Sequence, residues 1–155
     1  MANTFEKTFT LGGDYTINRL GYGAMRITGQ GIWGPPKDKD ECIRVLKRAV
    51  ELGVNFIDTA EAYGPKFNEA LIVDALYPYK HGLVIATKGG FNRPGPGNWV
   101  PNGDPAFIQS NIEGSLQRLK VDTIDLWQLH RIDPKTPLEK TLAPVVEAVN
   151  AGKIK

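Results

Sequence analysis

Cysteine is nearly absent: Cys42 is the only one in 155 residues, which excludes an intrachain disulfide and any cluster of thiolate ligands. It sits beside Ile43, Leu46 and Ala49 in a helical pattern, where a small packed residue is the plain reading. Histidine is scarce as well. His81 and His130 stand at no recognisable ligand spacing from Cys42 or from an acidic cluster, so no metal site is expected. Charge of one sign is missing too. A net charge of +2, with acids and bases interspersed, leaves no basic stripe for nucleic acid and no run that would hold an anionic membrane. Nowhere do about 18 apolar residues run together as a membrane span requires, and Met1 to Lys7 lacks the apolar core of a signal peptide. The expectation is a cytoplasmic protein acting on small molecules, with no nucleic-acid or membrane partner.

The composition, 41% hydrophobic and 23% charged, is that of an ordinary globular domain. Residues 8–17 read as a β-hairpin, two short runs of strand formers around Gly12-Gly13-Asp14. Arg19-Leu20-Gly21 then begins a first strand, and a Gly- and Pro-rich loop follows from Gly29 to Pro36. Helical spacing appears at Ile43, Leu46, Ala49 and Val50, with Gly53 as a stop, and again over Phe67 to Leu76, ended by Pro78. Asp104-Pro105 is an N-cap with proline at the first helical position, opening a helix whose apolar face runs from Phe107 to Leu119. Thr136-Pro137-Leu138-Glu139 matches a capping box for a last helix to about Ala151, with Pro144 as a kink or restart. Between these helices lie strands at Asn55 to Asp58, Leu83 to Lys88 and Thr123 to Leu129. Gly89 to Gly103 is a long Gly- and Pro-rich loop, functional or mobile by prior.

Strand and helix thus alternate four times, the rhythm of βα units, and right-handed crossovers make the sheet parallel. Three strands end in a different ionisable residue: Asp58, Lys88 and His130. In parallel α/β folds the carboxyl ends of the strands share one rim, where chemistry is done, and Tyr63 in the loop after Asp58 can reach the same rim. A TIM-type (β/α)8 barrel needs about 250 residues, with roughly 200 as a lower bound. We therefore read residues 1–155 as one domain, the amino-terminal half of such a barrel: a hairpin over 8–17 and four βα units over 19–155. Gly152-Lys153-Ile154-Lys155 reads as the start of another strand.

Gly21-Tyr22-Gly23-Ala24-Met25-Arg26 begins like a dinucleotide fingerprint. Arg26 stands where the third glycine belongs, and the Gly29 to Pro36 loop interrupts the helix that should hold the pyrophosphate, so the Rossmann reading is rejected. Taken singly, the rim residues have plainer roles. Asp58 suits a turn or cap, Lys88 a solvated loop, Tyr63 a packed ring with a bonded hydroxyl, and His130 a satisfied rim position. All four occur in order at equivalent strand ends, which separate plain roles do not account for. Trp33, Phe91 and Trp99 lie on loops after strands and either wall a pocket or pack down. Asp125 and Trp127 read as structural, His81 as an exposed turn residue, and Lys37 to Glu41 as a solvated helix start.

Asp58-Thr59-Ala60-Glu61-Ala62-Tyr63-Gly64, followed by Ala86-Thr87-Lys88 and the strand to His130, resembles the aldo-keto reductase family at every position of its catalytic tetrad. The resemblance extends from the hairpin and Gly21 to Met25 through to the final Gly-Lys-Ile. It implies an NADPH-dependent oxidoreductase that reduces aldehydes or ketones to alcohols. A free tyrosine, with pKa about 10, is a reluctant acid at neutral pH, so it needs a cation nearby. By the resemblance, Tyr63 donates the proton, Lys88 favours its ionised form, Asp58 pairs with Lys88, and His130 orients the carbonyl. Asp58 would lie near the nicotinamide ribose, and Gly23, Ala24 and Met25 near cofactor and substrate.

In that family most groups that hold the adenosine and phosphates belong to the second half of the barrel. A parallel sheet is normally covered on both faces, so four units leave an inner face and two edges open. A homodimer closing one ring, or a missing carboxyl-terminal half, would cover them. The alternative function is a non-catalytic binding or regulatory module derived from an aldo-keto reductase, associating through those edges.

Overall fold

The computed structural model describes residues 6–155. The reading of Met1 to Phe5 as lacking a signal core therefore lies outside the described residues. The chain opens with an antiparallel hairpin of β1 (Thr8–Leu11) and β2 (Tyr15–Asn18), paired from Thr8↔Asn18 to Leu11↔Tyr15. It lies against the amino-terminal ends of the main sheet. The Tyr15 hydroxyl donates to Asp125 Oδ1 at 2.9 Å, and Asn55 Oδ1 accepts the Asn18 N–H at 2.7 Å.

The first strand of the main sheet, β3 (Tyr22–Gly23), begins later than the expected start at Arg19-Leu20-Gly21. The Arg19 N–H is bonded to the Lys7 carbonyl, so it prolongs the hairpin instead. Next come α1 (Lys39–Glu51), β4 (Phe56–Asp58), α2 (Phe67–Leu76) and β5 (Val84–Gly89). The Asp38 carboxylate caps α1 by accepting the Glu41 N–H at 2.8 Å. The loop after β5 is a second small hairpin, β6 (Phe91–Asn92) with β7 (Val100–Pro101). Then follow α3 (Pro105–Leu119), β8 (Leu126–Leu129) and α4 (Leu138–Asn150). As expected, the Asp104 carboxylate caps α3, accepting the Phe107 N–H at 3.0 Å.

The main sheet is all parallel in the order β3-β4-β5-β8, each strand beside its predecessor, with helices packed on the outer face. Alternation along the strands sends Ile57, Ile85 and Trp127 toward the helices. There Leu46, Ile57, Leu71, Ile72, Ile85 and Leu119 form one core, and Ile108, Ile112, Leu116, Ile124, Trp127 and Ala148 a second. Cys42 packs half-buried against the first.

Three sequence expectations are corrected here. The capping box at Thr136 and Glu139 does not form. Pro137 is the N-cap and no side chain caps α4; Thr136 falls one residue before the cap, where its hydroxyl donates to the buried Asp133 carboxylate at 3.1 Å. Second, of the kink or restart expected at Pro144, the restart does not occur: α4 is one helix through that residue. Third, β8 starts later than Thr123. Asp125 Oδ2 accepts the Ile85 N–H at 2.9 Å, taking a place in the ladder. Ile124 instead makes a parallel bridge with Ile154 on the far side of β8, so the end of the chain runs alongside that strand.

Behind the sheet, Glu69 of α2 is fully buried. Thr87 donates to its Oε1 at 2.6 Å and Arg118 Nε to its Oε2 at 2.7 Å, joining α2, β5 and α3. Removing one partner of a buried, hydrogen-bonded pair strands the other and costs about 3 kcal/mol or more. Glu69→Ala is therefore expected to lower the unfolding free energy by that amount in urea titration. A loss under about 1 kcal/mol, the range of exposed pairs, would show that the network contributes little.

Candidate active site

The loop after β4 does not leave the sheet at once. Thr59 N–H donates to the Ala86 carbonyl at 2.8 Å and Glu61 N–H to the Lys88 carbonyl at 3.0 Å. The segment thus continues alongside β5 before turning back at Ala60 to Tyr63, which carries the Tyr63 ring over the end of β5. Gly64 permits that turn. Its φ is +89°, and a side chain there would begin 2.7 Å from Phe67 Cβ. A buried relay locks the loop from behind: the Thr59 hydroxyl donates to Asn68 Oδ1 at 2.6 Å, and Asn68 Nδ2 donates to the Ala24 carbonyl at 2.8 Å.

The structure brings Asp58, Tyr63, Lys88 and His130 together at one rim. The Lys88 ammonium has three donors, and each has an acceptor: Asp58 Oδ2 at 2.6 Å, the Thr59 carbonyl at 2.8 Å and the Tyr63 hydroxyl oxygen at 3.3 Å. Because that oxygen accepts from Lys88, its own hydrogen is left for another partner, and it has no acceptor among the described residues. The rim is open. The Asp58 side chain is 34% exposed and that of Lys88 14%, enough for a ligand to reach the aspartate while the ammonium stays fixed by its neighbours.

His130 stands edge-on to Tyr63, ring centroids 5.6 Å apart at 82°, with its backbone N–H bonded to the Gly89 carbonyl at 2.9 Å. Phe91 lies 4.7 Å and Trp99 6.2 Å from the His130 ring, and Trp99 is 6.4 Å from Tyr63. Phe91 and Trp99 thus both pack down and wall the rim, whereas Trp33 sits farther back, in a bridge with Gly64. Burial, then the Lys88 cation, push the His130 pKa down to about 4; Asp58 opposes, and Arg131 and Arg93 add to the lowering. The imidazole is therefore neutral at pH 7, with one N–H to donate.

Of the turn after β3, Gly23 is exposed and pairs in register with Asp58, Met25 is half-buried, and Ala24 is fully buried with its carbonyl taken by Asn68. Gln128, which the sequence reading passed over, joins the rim by donating to Asp58 Oδ1 at 3.3 Å. Its signal was available: it lies two residues before His130 on a strand, so the two share a face. Arg93, Asn68 and Asn111 also support the rim. Asn111 does so by accepting the Gly90 N–H at 2.8 Å. None of these three carries a local pattern that marks it out. Asp125 and Trp127 take the structural places expected of them, and His81 is exposed.

Four parallel βα units gathering these side chains at their carboxyl ends define part of a TIM-type (β/α)8 barrel. The sequence pattern of the Aldo/keto reductase family matches residues 19–155, and the chain belongs to that family. It is 54% identical over 143 residues to an uncharacterized oxidoreductase of Schizosaccharomyces pombe, covering 92% of this chain and 46% of that protein. It is 40% identical to pyridoxine 4-dehydrogenase of Escherichia coli, covering 97% of this chain and 54% of that protein. Among solved structures, a glycerol dehydrogenase from Gluconobacter oxydans superposes with a TM-score of 0.83 at 33% identity, covering 96% of this chain and 46% of that one. A holo-form aldo-keto reductase from Bacillus halodurans gives 0.81 at 30% identity, covering 97% and 48%. The chain spans about half the length of the curated relatives it matches. No helix among the described residues is long and apolar enough to cross a membrane.

The residues present fit the reacting end of a nicotinamide cofactor, which the family implies. Beside the partly exposed Asp58, a side chain at Gly23 would begin with no atom within 4 Å, leaving room for a flat group against the strand ends.

The lowered His130 pKa has a thermodynamic consequence. Between pH 6.5 and about 4 the unfolded chain binds a proton that the folded chain does not, so this group's contribution to stability falls as pH drops through that window and is complete above it. In NMR titration the His130 ring signals are expected to stay constant from pH 8 to about 5.5 and to move only nearer pH 4. The urea midpoint of His130→Gln should vary less with pH across the same window. A His130 midpoint near 6.5 would contradict the burial argument.

Proposed function

We propose that this chain carries the proton-transfer half of an NADPH-dependent reductase that converts aldehydes or ketones to alcohols. The observation that carries the proposal is the Lys88 ammonium. It is fixed by Asp58 and the Thr59 carbonyl and directs its third donor at the Tyr63 oxygen. Reduction of a carbonyl leaves negative charge on oxygen, and the acid that neutralises it must itself become an anion. Tyr63 holds its hydrogen free toward the rim, and the adjacent cation stabilises the phenolate left behind. The neutral His130 donates a hydrogen bond to the carbonyl oxygen and orients it. Asp58 keeps Lys88 in place and is itself steadied by Gln128. Asp58, Gly23 and Met25 would hold the reacting end of a nicotinamide cofactor, whose contribution would be hydride transfer to the carbonyl carbon, and Ala24 keeps their turn in shape.

The names of pyridoxine 4-dehydrogenase and glycerol dehydrogenase among the similar proteins support chemistry between an alcohol and a carbonyl. A cytoplasmic setting and a small-molecule carbonyl substrate belong to the same proposal. A second reading, a binding or regulatory module, is favoured by the half-exposed inner face, where Phe56, Leu126 and Gln128 are not buried. Closure of the ring by a second copy, or by further barrel units, would cover that face.

Tyr63→Phe keeps the ring and loses only the hydroxyl. It is expected to reduce carbonyl-dependent NADPH oxidation by about 100-fold or more, within the range of general acid catalysis, while leaving the circular dichroism spectrum unchanged. Retained activity would exclude Tyr63 as the acid. Light scattering with NADPH fluorescence titration on the same samples separates the two readings. Binding of NADPH supports the reductase, and association without NADPH binding supports the module.

A further inference from the structure

Arg93 lies in the hairpin loop between β6 and β7, among Pro94, Gly95, Pro96 and Gly97, where a solvated arginine would be ordinary. It is instead only 8% exposed and has no ion pair among the described residues. Its donors go to three backbone carbonyls on three segments: Nε to Asn98 at 2.9 Å, Nη1 to Ala62 at 2.7 Å and Nη2 to Ile32 at 3.3 Å. Asn98 precedes Trp99, Ala62 precedes Tyr63, and Ile32 precedes Trp33. The guanidinium carbon sits 3.5 Å from the Trp99 ring centroid and 5.5 Å from that of Trp33.

The buried Glu61 carboxylate attracts this charge from nearby without touching it, and a buried charge with no directly bonded counter-ion is costly unless dipoles and ring faces replace its water. Here carbonyls take the donors and Trp99 takes one face of the plane. Lysine could supply the charge but not the fork or the stacking plane. Among the described residues the hairpin tip has no other anchor of this kind. Pro94, Pro96, Gly97 and Asn98 are exposed, and no atom lies within 4 Å of a side chain that would begin at Gly97. Trp99, beyond that tip, is held on one face by Arg93 and meets Phe91, Tyr63 and His130 edge-on.

We propose that Arg93 is a positioning residue that clamps the 91–101 hairpin onto the loops carrying Tyr63 and Trp33, fixes Trp99 as a rigid wall of the rim, and thereby sets the width of carbonyl substrate admitted. The width element rests on the reductase reading above; the clamp itself does not. Lost contacts to Ala62 also free the backbone beside Tyr63, so kcat falls together with selectivity when the clamp is released.

Fluorine NMR of the chain labelled with 5-fluorotryptophan tests the clamp without activity. The three tryptophans give three signals, assigned with Trp33→Phe and Trp99→Phe. In both Arg93→Lys and Arg93→Met the Trp99 signal is expected to shift and acquire the solvent isotope effect of an exposed indole, while that of Trp127 stays put. An unmoved Trp99 signal, or full rescue by Arg93→Lys, would overturn the clamp. The width claim is read from kcat/KM for benzophenone relative to propanal, expected to rise about tenfold in Arg93→Lys, the scale on which pocket shape discriminates. An equal fall for both carbonyls would overturn it. An inactive wild-type chain would remove the reductase reading and the width claim with it, and the fluorine signals would still decide the clamp.

Discussion

The parallel register of β4, β5 and β8 is the constraint on which the rest depends. Asp58 is paired with Ala86, and Lys88 with Gln128, so carboxylate, ammonium and amide fall on one face within bonding reach. A slip of one residue in β5 would turn Lys88 to the helix side and bring Thr87 to the rim. The core resists that slip, because Ile85 would leave the apolar layer it shares with Ile57 as Lys88 entered it. Apolar burial on one face thus holds a charged cluster in place on the other.

Behind the rim, polar side chains do work that apolar packing cannot. Thr59 and Asn68 tie β4 to the turn at Ala24, and Glu69 ties β5 to α3 through Thr87 and Arg118. Each is buried and each has its partners, the condition under which such networks rigidify a fold. The result is a loop from Thr59 to Gly64 whose backbone bonds run to β5 on one side and to the Ile32 to Gly34 segment on the other. Tyr63 therefore sits on a scaffold rather than a free loop.

The inner face is a different matter. In a parallel sheet both faces are ordinarily covered, yet Phe56, Leu126 and Gln128 are only partly buried, and Ile154 lies alongside β8 at its bridge with Ile124. The charged middle layer, Asp58 with Lys88 and Gln128, satisfies itself internally and tolerates water. Its apolar neighbours below gain nothing from exposure. That contrast makes the rim self-contained and leaves the lower barrel face half-exposed.

Much of this was legible from the chain alone. The spacing of Ile43, Leu46 and Val50, the cap at Asp104 and the glycines of the first hairpin specify local structure because each acts over a few residues. The order of Asp58, Tyr63, Lys88 and His130 points to one rim because parallel βα units put all their carboxyl ends together. What local patterns did not contain were choices made by competition in space. Thr136 lies one residue before the α4 cap and bonds the Asp133 carboxylate, and Asp125 replaces a ladder bond and delays β8. Gln128 meets Asp58 across the sheet, and Arg93 joins three segments far apart in the chain. By itself the sequence determined the four helices, the βα rhythm and which reactive residues share an end, through periodicity, capping and turn chemistry, but not the β6–β7 hairpin within the long loop. Only the tertiary structure decided which polar groups pair and which loops are held, because those bonds are won by proximity that no neighbouring residue encodes.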